Sequence, residues 1–151
     1  MTRSPAGRPG WGGVVILGLV AVATAGCGAG RPRMDYSKAG LVQVSGQIRF
    51  DGRPLANAIV IFEAENGSFS FARTDASGRY SLMFDSEQPG VTKGVKTVRI
   101  RTTGSLGEDD PDAVRGEPER LPPCYNVRST LQTIVERDDD AIDFDLPATC
   151  E

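Results

Sequence analysis

The sequence contains no histidine among its 151 residues. Histidine is the commonest general base and a frequent zinc ligand, so its absence excludes Ser-His-Asp and Cys-His sites and the usual zinc centres. Lysine occurs only at positions 38, 93 and 96, and no glycine-rich loop is followed by the Lys-Ser/Thr pair that binds phosphate. These absences predict a protein that is not an enzyme and that holds no metal or organic cofactor.

The sequence also lacks an apolar run of about 20 residues, the length that spans a membrane comfortably. Its most apolar segment, Val14–Ala25, has 12 residues, follows Arg3 and Arg8, and ends beside Gly26. A basic start, a short apolar segment and small residues at its end predict a secretory signal peptide over residues 1–26. An uncleaved signal anchor is the alternative, and the shortness of the run argues against it.

Small residues lead up to the first cysteine in the segment Thr24-Ala25-Gly26-Cys27. The segment resembles the bacterial lipobox, although leucine usually stands where this chain has Thr24. The resemblance implies that Cys27 carries lipid and ties the mature chain to a membrane of the cell envelope, facing the periplasm or the exterior. Several acyl chains on one residue anchor a protein stably. Ordinary signal-peptidase cleavage near Ala25, which would release a soluble protein, is the alternative.

Basic charge is in deficit once the signal peptide is removed. The chain has 17 basic and 20 acidic residues, so loss of Arg3 and Arg8 leaves 15 basic residues and a net charge of 15 − 20 = −5. An acidic domain without a basic patch is a poor partner for nucleic acid. We therefore expect no nucleic-acid partner, and membrane contact only through the lipid anchor.

Cysteine is rare: the sequence has three, of which one lies in the N-terminal segment and two lie near the C-terminal end. If Cys27 takes lipid, Cys124 and Cys150 remain in an oxidising compartment and are predicted to form a disulfide. Such a bridge encloses residues 125–149, and closing a loop of that length stabilises a domain by about 3 kcal/mol. Two free thiols are the alternative, because disulfide geometry is not encoded in sequence spacing.

After the signal peptide, residues 27–40 contain glycine, proline and charge without an apolar period, which predicts a flexible tether. A domain over residues 41–151 follows, beginning with the alternation of Val42, Val44, Gly46, Ile48 and Phe50. No segment has the period of an amphipathic helix. The predicted strands are residues 41–50, 58–65, 69–73, 80–84, 95–103, 131–137 and 141–146. They predict an all-β fold, a single antiparallel seven-stranded β-sandwich.

The segment 104–123 is rich in acidic residues and proline, and predicts a long solvated loop at one end of the sandwich or between its sheets. The last two strands are predicted to form a hairpin through residues 138–140. We expect the Cys124–Cys150 bridge to lock this hairpin to the long loop.

Two segments carry a family resemblance. The first contains Gly46, Ile48, Gly52, Pro54, Leu55, Ala58 and Val60, and the second contains Thr74, Asp75, Gly78, Tyr80 and Leu82. With them, residues 41–146 resemble the carboxypeptidase regulatory-like (transthyretin-like) domain and small bacterial lipoproteins built on it. The resemblance implies a prealbumin-like sandwich, Ig-like in architecture, with no chemistry of its own. A cysteine at position 124 is not expected in the family generally, which indicates that the bridge is specific to this protein.

The turn residues of the second segment are predicted to be structural. Gly78 suits a turn position with positive φ, and the Asp75 side chain accepts hydrogen bonds from the backbone of its own turn. Tyr80 is expected to bury its ring and to leave its hydroxyl at an edge.

Carboxylates cluster at residues 108–112 and 138–145, where oxygen ligands for Ca²⁺ are one alternative. Neither cluster has the spacing of a calcium loop with glycine at its sixth position, so solvated turns are the preferred interpretation. A glycosidase pair would need a cleft, for which a sandwich of this size offers little room.

The residues therefore predict a non-catalytic, structural or protein-interaction role at the cell envelope, with an unknown protein or glycan partner. A secreted or surface module that binds carbohydrate or protein is the alternative, and an enzyme accessory domain is a third. The only tryptophan, Trp11, is lost with the signal peptide, and most other aromatic residues lie in strand register, where core packing is the default. Aromatic side chains exposed together on one sheet would favour the binding module.

Overall fold

The structure, a computed structural model, describes Tyr36 and residues 39–150. In this part of the chain the fold consists of two four-stranded sheets and a short 3-10 helix, Pro123–Tyr125. The strands are β1 Ser45–Phe50, β2 Arg53–Pro54, β3 Ile59–Ala64, β4 Phe69–Arg73, β5 Arg79–Ser81, β6 Gly94–Arg101, β7 Gln132–Val135 and β8 Phe144–Leu146. The predicted all-β fold class is confirmed.

The first sheet is built around β1. Strands β5 and β2 pair with it antiparallel along one side, where Ile48 N–H donates to Gly78 O at 2.8 Å and Ile48 O accepts from Leu55 N–H at 2.9 Å. Strand β8 pairs with β1 in parallel, with Ile48 opposite Phe144. The second sheet has the order β4-β3-β6-β7 and is antiparallel throughout.

Alternation determines which residues of β1 reach the core. Val42 and Val44, just before β1, and Ile48 within it are buried, whereas the alternating residues Gln43 and Arg49 are exposed. Successive side chains of a strand point to opposite faces, so one face of β1 is apolar and the other is solvated. This is the pattern that the sequence predicts for the first strand.

The core lies between the inner faces of the two sheets. Phe62 of β3 is fully buried, and its ring centroid lies 6.1 Å from those of Tyr80 and Phe144 in the first sheet. Val98 and Ile100, the predicted inward residues of β6, are also fully buried. Burying an aliphatic or phenyl side chain contributes about 1.5–3 kcal/mol, so this layer is a large favourable contribution to folding.

The connection between β7 and β8 differs from the predicted hairpin. The two strands belong to different sheets, and residues 138–140 carry the chain across: Asp139 N–H donates to Gln43 O, and Ser45 N–H donates to Asp139 O, both at 2.9 Å. Because the chain crosses at the start of β1, β8 then runs alongside β1 in the same direction. The expectation of a wholly antiparallel sandwich is therefore wrong at β8, and that of a last hairpin is wrong as well.

The strand count also differs, because the structure adds the two-residue strand β2 to the seven expected segments. Asp51 and Gly52 form the turn between β1 and β2, with φ of 51° and 74°. Positive φ at two consecutive residues closes a tight hairpin, which allows Pro54 to pair opposite Arg49.

Candidate functional site

The predicted lipidation residue, Cys27, lies outside the described residues, as do the signal peptide over 1–26 and most of the tether. The structure therefore leaves the anchor as a prediction. It places the tether residue Tyr36, the pair Cys124 and Cys150, and the turn residues Asp75, Gly78 and Tyr80.

Tyr36 contacts the turn that follows β5. Its ring meets the edge of Phe84 at a centroid distance of 5.4 Å and an interplanar angle of 70°, and its hydroxyl donates a hydrogen bond to the Asp85 carboxylate. The bond from Tyr36 lowers the pKa of Asp85, aided by the Glu87 and Gln88 N–H groups, and the same bond raises the pKa of Tyr36. Tyr36, within the predicted tether, is therefore in contact with the folded domain.

Cys124 and Cys150 form a disulfide, with Cα atoms 6.2 Å apart, inside the range that native bridges occupy. Cys124 lies in the 3-10 helix, and Cys150 follows β8. Next to the bridge, Tyr125 Oη donates to Pro147 O at 3.0 Å. The bridge therefore fastens the segment after β8 to the end of the long loop, rather than fastening a hairpin to it.

The Asp75 side chain organises the turn from Asp75 to Gly78 through hydrogen bonds within the turn. Asp75 Oδ1 accepts from Ser77 N–H at 2.8 Å, from Ser77 Oγ at 2.7 Å and from Arg79 N–H at 3.0 Å. These bonds, the one from the Ser77 hydroxyl foremost, lower the pKa of Asp75. Gly78 has φ of 75°, and a Cβ there would lie 2.5 Å from Ile48 O, so the turn requires glycine at this position.

Tyr80 directs its ring into the core and its hydroxyl to the sheet edge. The residue is 3% exposed, and Oη donates to Ile142 O at 2.6 Å. Burial, with the nearby Asp143 and Asp139 charges, raises the pKa of Tyr80 far above its usual value. The phenol is therefore a neutral donor, as a structural role requires.

Glu119 holds the base of the long loop to the end of β6. Its carboxylate accepts from the N–H of Thr102 at 3.0 and 2.9 Å, from Thr102 Oγ1 at 2.7 Å and from Thr103 Oγ1 at 3.0 Å, and it also accepts from Leu121 N–H at 3.0 Å. Partial burial raises the pKa of Glu119, but the hydrogen bonds from Leu121 and the two threonines outweigh it and lower the pKa overall.

A second contact joins the tip of the loop to the outer face of the second sheet. The Arg73 guanidinium forms a salt bridge with the Asp110 carboxylate, and both side chains are largely buried. Asp110 also accepts from Leu106 N–H at 2.7 Å, which is the main cause that lowers its pKa. The predicted solvated loop thus lies at one end of the sandwich and packs against it.

The acidic segment 138–140 forms turns through its carboxylates. Asp138 Oδ1 accepts from Gln43 N–H at 2.7 Å, and Asp139 Oδ1 accepts from Ala141 N–H at 3.0 Å. Beside them is a cavity of about 250 Å³, lined also by Ser45 and Ser81. Among the described residues, no group of three His, Cys, Asp or Glu side chains is placed to hold a metal ion. The Asp138 and Asp139 carboxylates accept hydrogen bonds at the crossing between the sheets.

Lys96 is a buried cation that sequence reasoning missed. It points inward from β6 and is 1% exposed, and Nζ donates to Thr92 Oγ1 at 2.9 Å and to Lys93 O at 3.3 Å. Burial lowers the pKa of Lys96. The signal was present, because Lys96 shares the two-residue register of Val98 and Ile100 and so had to face the same side of the sheet.

Two aromatic residues lie on the outer face of the second sheet. Phe69 is 53% exposed, and its ring centroid lies 6.4 Å from that of the half-buried Phe71. The interpretation of strand aromatics as core residues is therefore wrong for Phe69. An exposed ring beside a half-buried one on the same sheet face is a feature that favours a binding surface over a purely structural domain.

Comparisons with family models, with curated protein sequences and with solved structures find no match to this chain. In the described part, no helix has the length and apolar character needed to cross a membrane.

Proposed function

We propose that this protein is a non-catalytic lipoprotein of the cell envelope, anchored through lipid on Cys27, whose sandwich has a structural or protein-interaction role. The fold proposed for it is the prealbumin-like, carboxypeptidase regulatory-like one. The observation that carries the proposal is the pairing of cysteines. Cys124 and Cys150 bond to each other, which leaves Cys27 as the one cysteine without an intramolecular disulfide partner, at the end of an apolar run and after small residues.

Further support comes from the disulfide itself. Disulfides persist in oxidising compartments and are rare where glutathione and thioredoxin keep thiols reduced. A bridge between Cys124 and Cys150 therefore agrees with export of the domain, which the N-terminal segment predicts independently. The net charge of −5 after removal of the signal would repel an anionic membrane, so the lipid has to supply the membrane affinity.

The test compares the membrane fraction of cells that express the full chain with that of cells expressing Cys27→Ser. The unchanged chain should yield a mature protein that begins at Cys27, with a mass increased by acyl chains and lowered by the two hydrogens of one disulfide. Cys27→Ser should leave the membrane, while the double variant Cys124→Ser/Cys150→Ser should keep its acyl chains. A Cys27→Ser protein that stays in the membrane would remove the anchor from the proposal.

The exposed ring of Phe69, next to the half-buried ring of Phe71, favours a second candidate, a surface module that binds carbohydrate or protein. Flat apolar rings stack on sugar faces and anchor protein interfaces. Titration of the purified protein with oligosaccharides should then give a binding signal that Phe69→Ala abolishes. Arg53→Ala is the control, since Arg53 is exposed on β2 of the first sheet. Equal binding by Phe69→Ala and the unchanged protein would contradict this candidate.

A further inference from the structure

We propose that Tyr36 latches the tether to the turn after β5, so that this end of the sandwich faces the membrane and the long loop faces away. The inference rests on the proposed anchor at Cys27. Its structural part, the latch, is the edge contact of Tyr36 with Phe84 together with the hydrogen bond to Asp85.

The turn that receives Tyr36 is itself fixed. Asp85 Oδ1 accepts from Glu87 N–H at 2.8 Å and from Gln88 N–H at 2.7 Å, while Oδ2 accepts from Tyr36. The carboxylate therefore organises its own turn with one oxygen and holds the tether with the other. A hydrogen bond to an ionised acceptor is stronger than one between neutral groups, and the ring contact restricts the direction of approach.

The chain between Tyr36 and the first strand continues along the same end of the domain. Ala39 N–H donates to Tyr36 O at 2.9 Å, and Val42 then bridges to Val91 through reciprocal backbone bonds of 2.9 Å. The tether thus enters beside the segment 84–91, and the latch lies at the point of entry.

The sheet topology places the long loop at the opposite end. Phe71 of β4 bridges antiparallel to Met83, so the turn that begins at Phe84 lies at the same end as the start of β6. Strand β6 then runs eight residues, a distance of about 25 Å, before residues 102–122 begin. The long loop is therefore the part of the domain farthest from the latch along the strands.

The latch changes how far the domain reaches from the bilayer. Tyr36 follows Cys27 by nine positions, a stretch of chain that spans at most about 32 Å. Without the latch, the first fixed residue is near Leu41, five residues later, which adds up to about 18 Å of reach. The latched domain is thus held closer to the membrane, with the end that carries Tyr36 nearest to it and the long loop, 104–123, at the far end.

Trypsin offers a direct measure of the latch, because Lys38 lies two residues after Tyr36 and Arg33 lies three residues before it. In protein purified after expression of the full chain, cleavage after Lys38 should be slow relative to cleavage after Arg33. Tyr36→Ala should raise this ratio several-fold. Tyr36→Phe should raise it less, because it keeps the ring contact and loses only the hydrogen bond. An unchanged ratio in Tyr36→Ala overturns the latch.

Neutron reflectometry on a supported bilayer of phosphatidylethanolamine and phosphatidylglycerol tests the orientation. The Tyr36→Ala layer should extend farther from the bilayer than the unchanged layer, by up to about 18 Å. A raised trypsin ratio with an unmoved layer overturns the orientation. Asp109→Asn, a change in the exposed loop, should alter neither measurement. Loss of the anchor is recognised separately, because the unchanged protein would then not bind the bilayer, while trypsin would still report the latch.

Discussion

The hydroxyl of Tyr80 donates a hydrogen bond to the backbone carbonyl of Ile142, 2.6 Å away. Tyr80 belongs to β5, and Ile142 lies in the segment that leads into β8, on the other side of β1. This bond therefore joins the two flanks of the first sheet across its central strand. It also gives the buried phenol a partner, without which its burial would be costly.

Tyr80→Phe should lower the free energy of unfolding by about 1 kcal/mol, the usual contribution of one hydrogen bond with a partly buried partner. The ring keeps its packing against Phe62, so the loss comes from the hydroxyl. Urea denaturation followed by far-UV circular dichroism measures the change. Val127→Ala, a change at an exposed side chain outside the core, serves as the control and should leave the midpoint nearly unmoved. Equal midpoints for Tyr80→Phe and the unchanged protein would show that the hydroxyl contributes nothing.

Gly46→Ala should destabilise the fold by about 1–3 kcal/mol, the range for forcing extra volume into a packed site. A Cβ at Gly46 would lie 2.0 Å from Ile142 O, and that carbonyl is held in place by Tyr80. Gly107→Ala is the matched control, because a Cβ at Gly107 would meet nothing within 4 Å and its φ is not positive. Thermal unfolding of both variants decides the question, and a Gly46→Ala protein as stable as Gly107→Ala would contradict the close packing of position 46 against Ile142.

The alternation of apolar and polar residues predicted correctly which side chains of a strand face the core, but it did not predict which strands pair with each other. The inward residues Val44, Ile48, Val98 and Ile100 follow from the two-residue period, because side-chain direction is a local property of a strand. The parallel pairing of β8 with β1 does not follow, because pairing depends on where residues 138–140 carry the chain. Local pattern holds no information on that crossing.

At the candidate site, too, contacts between residues close in sequence could be predicted, whereas contacts between distant residues could not. The Asp75–Gly78 turn was foreseen, since its chemistry is contained within five residues. The contacts of Tyr36 with Phe84 and Asp85 join positions nearly fifty residues apart, and the tether around Tyr36 has no period from which a partner could be derived. Burial of Lys96 was not predicted for a different reason. A lysine among inward-facing apolar residues is expected to turn its ammonium group to solvent, unless the fold provides hydrogen-bond acceptors for that group, as Thr92 does here.

Lys96→Met should raise the free energy of unfolding by about 1 kcal/mol at neutral pH, because it keeps an unbranched chain of similar length and removes the cost of burying a charge. Burial lowers the pKa of Lys96 in the folded state, so the unfolded state binds more protons between that pKa and the ordinary value of 10.5. Stability of the unchanged protein should therefore rise with pH through that window relative to Lys96→Met.

Chemical denaturation of Lys96→Met and the unchanged protein at pH 7 and at pH 10 measures both effects. The difference between the two proteins should shrink at the higher pH. Lys93→Met is the control for loss of a lysine, because Lys93 is exposed and close in sequence. A Lys96→Met protein less stable than the unchanged one at pH 7 would mean that the bonds to Thr92 and Lys93 outweigh the cost of burial.

Glu119→Gln should destabilise the long loop by about 1 kcal/mol at pH 7, since it replaces charge-assisted hydrogen bonds by neutral ones. The pKa of Glu119 is lowered in the folded state, so its contribution is present above the unfolded value of 4.5 and is lost as pH falls through the folded value. The stability difference between Glu119→Gln and the unchanged protein should therefore vanish on acidification below that value.

Amide hydrogen exchange at Thr102, Thr103 and Leu121 locates the effect, because their N–H groups donate to this carboxylate. Glu117→Gln, an exposed neighbour in the same loop, is the control. If exchange at Thr102 were equally slow in Glu119→Gln and Glu117→Gln at pH 7, the charge of Glu119 would not be what holds the loop to β6.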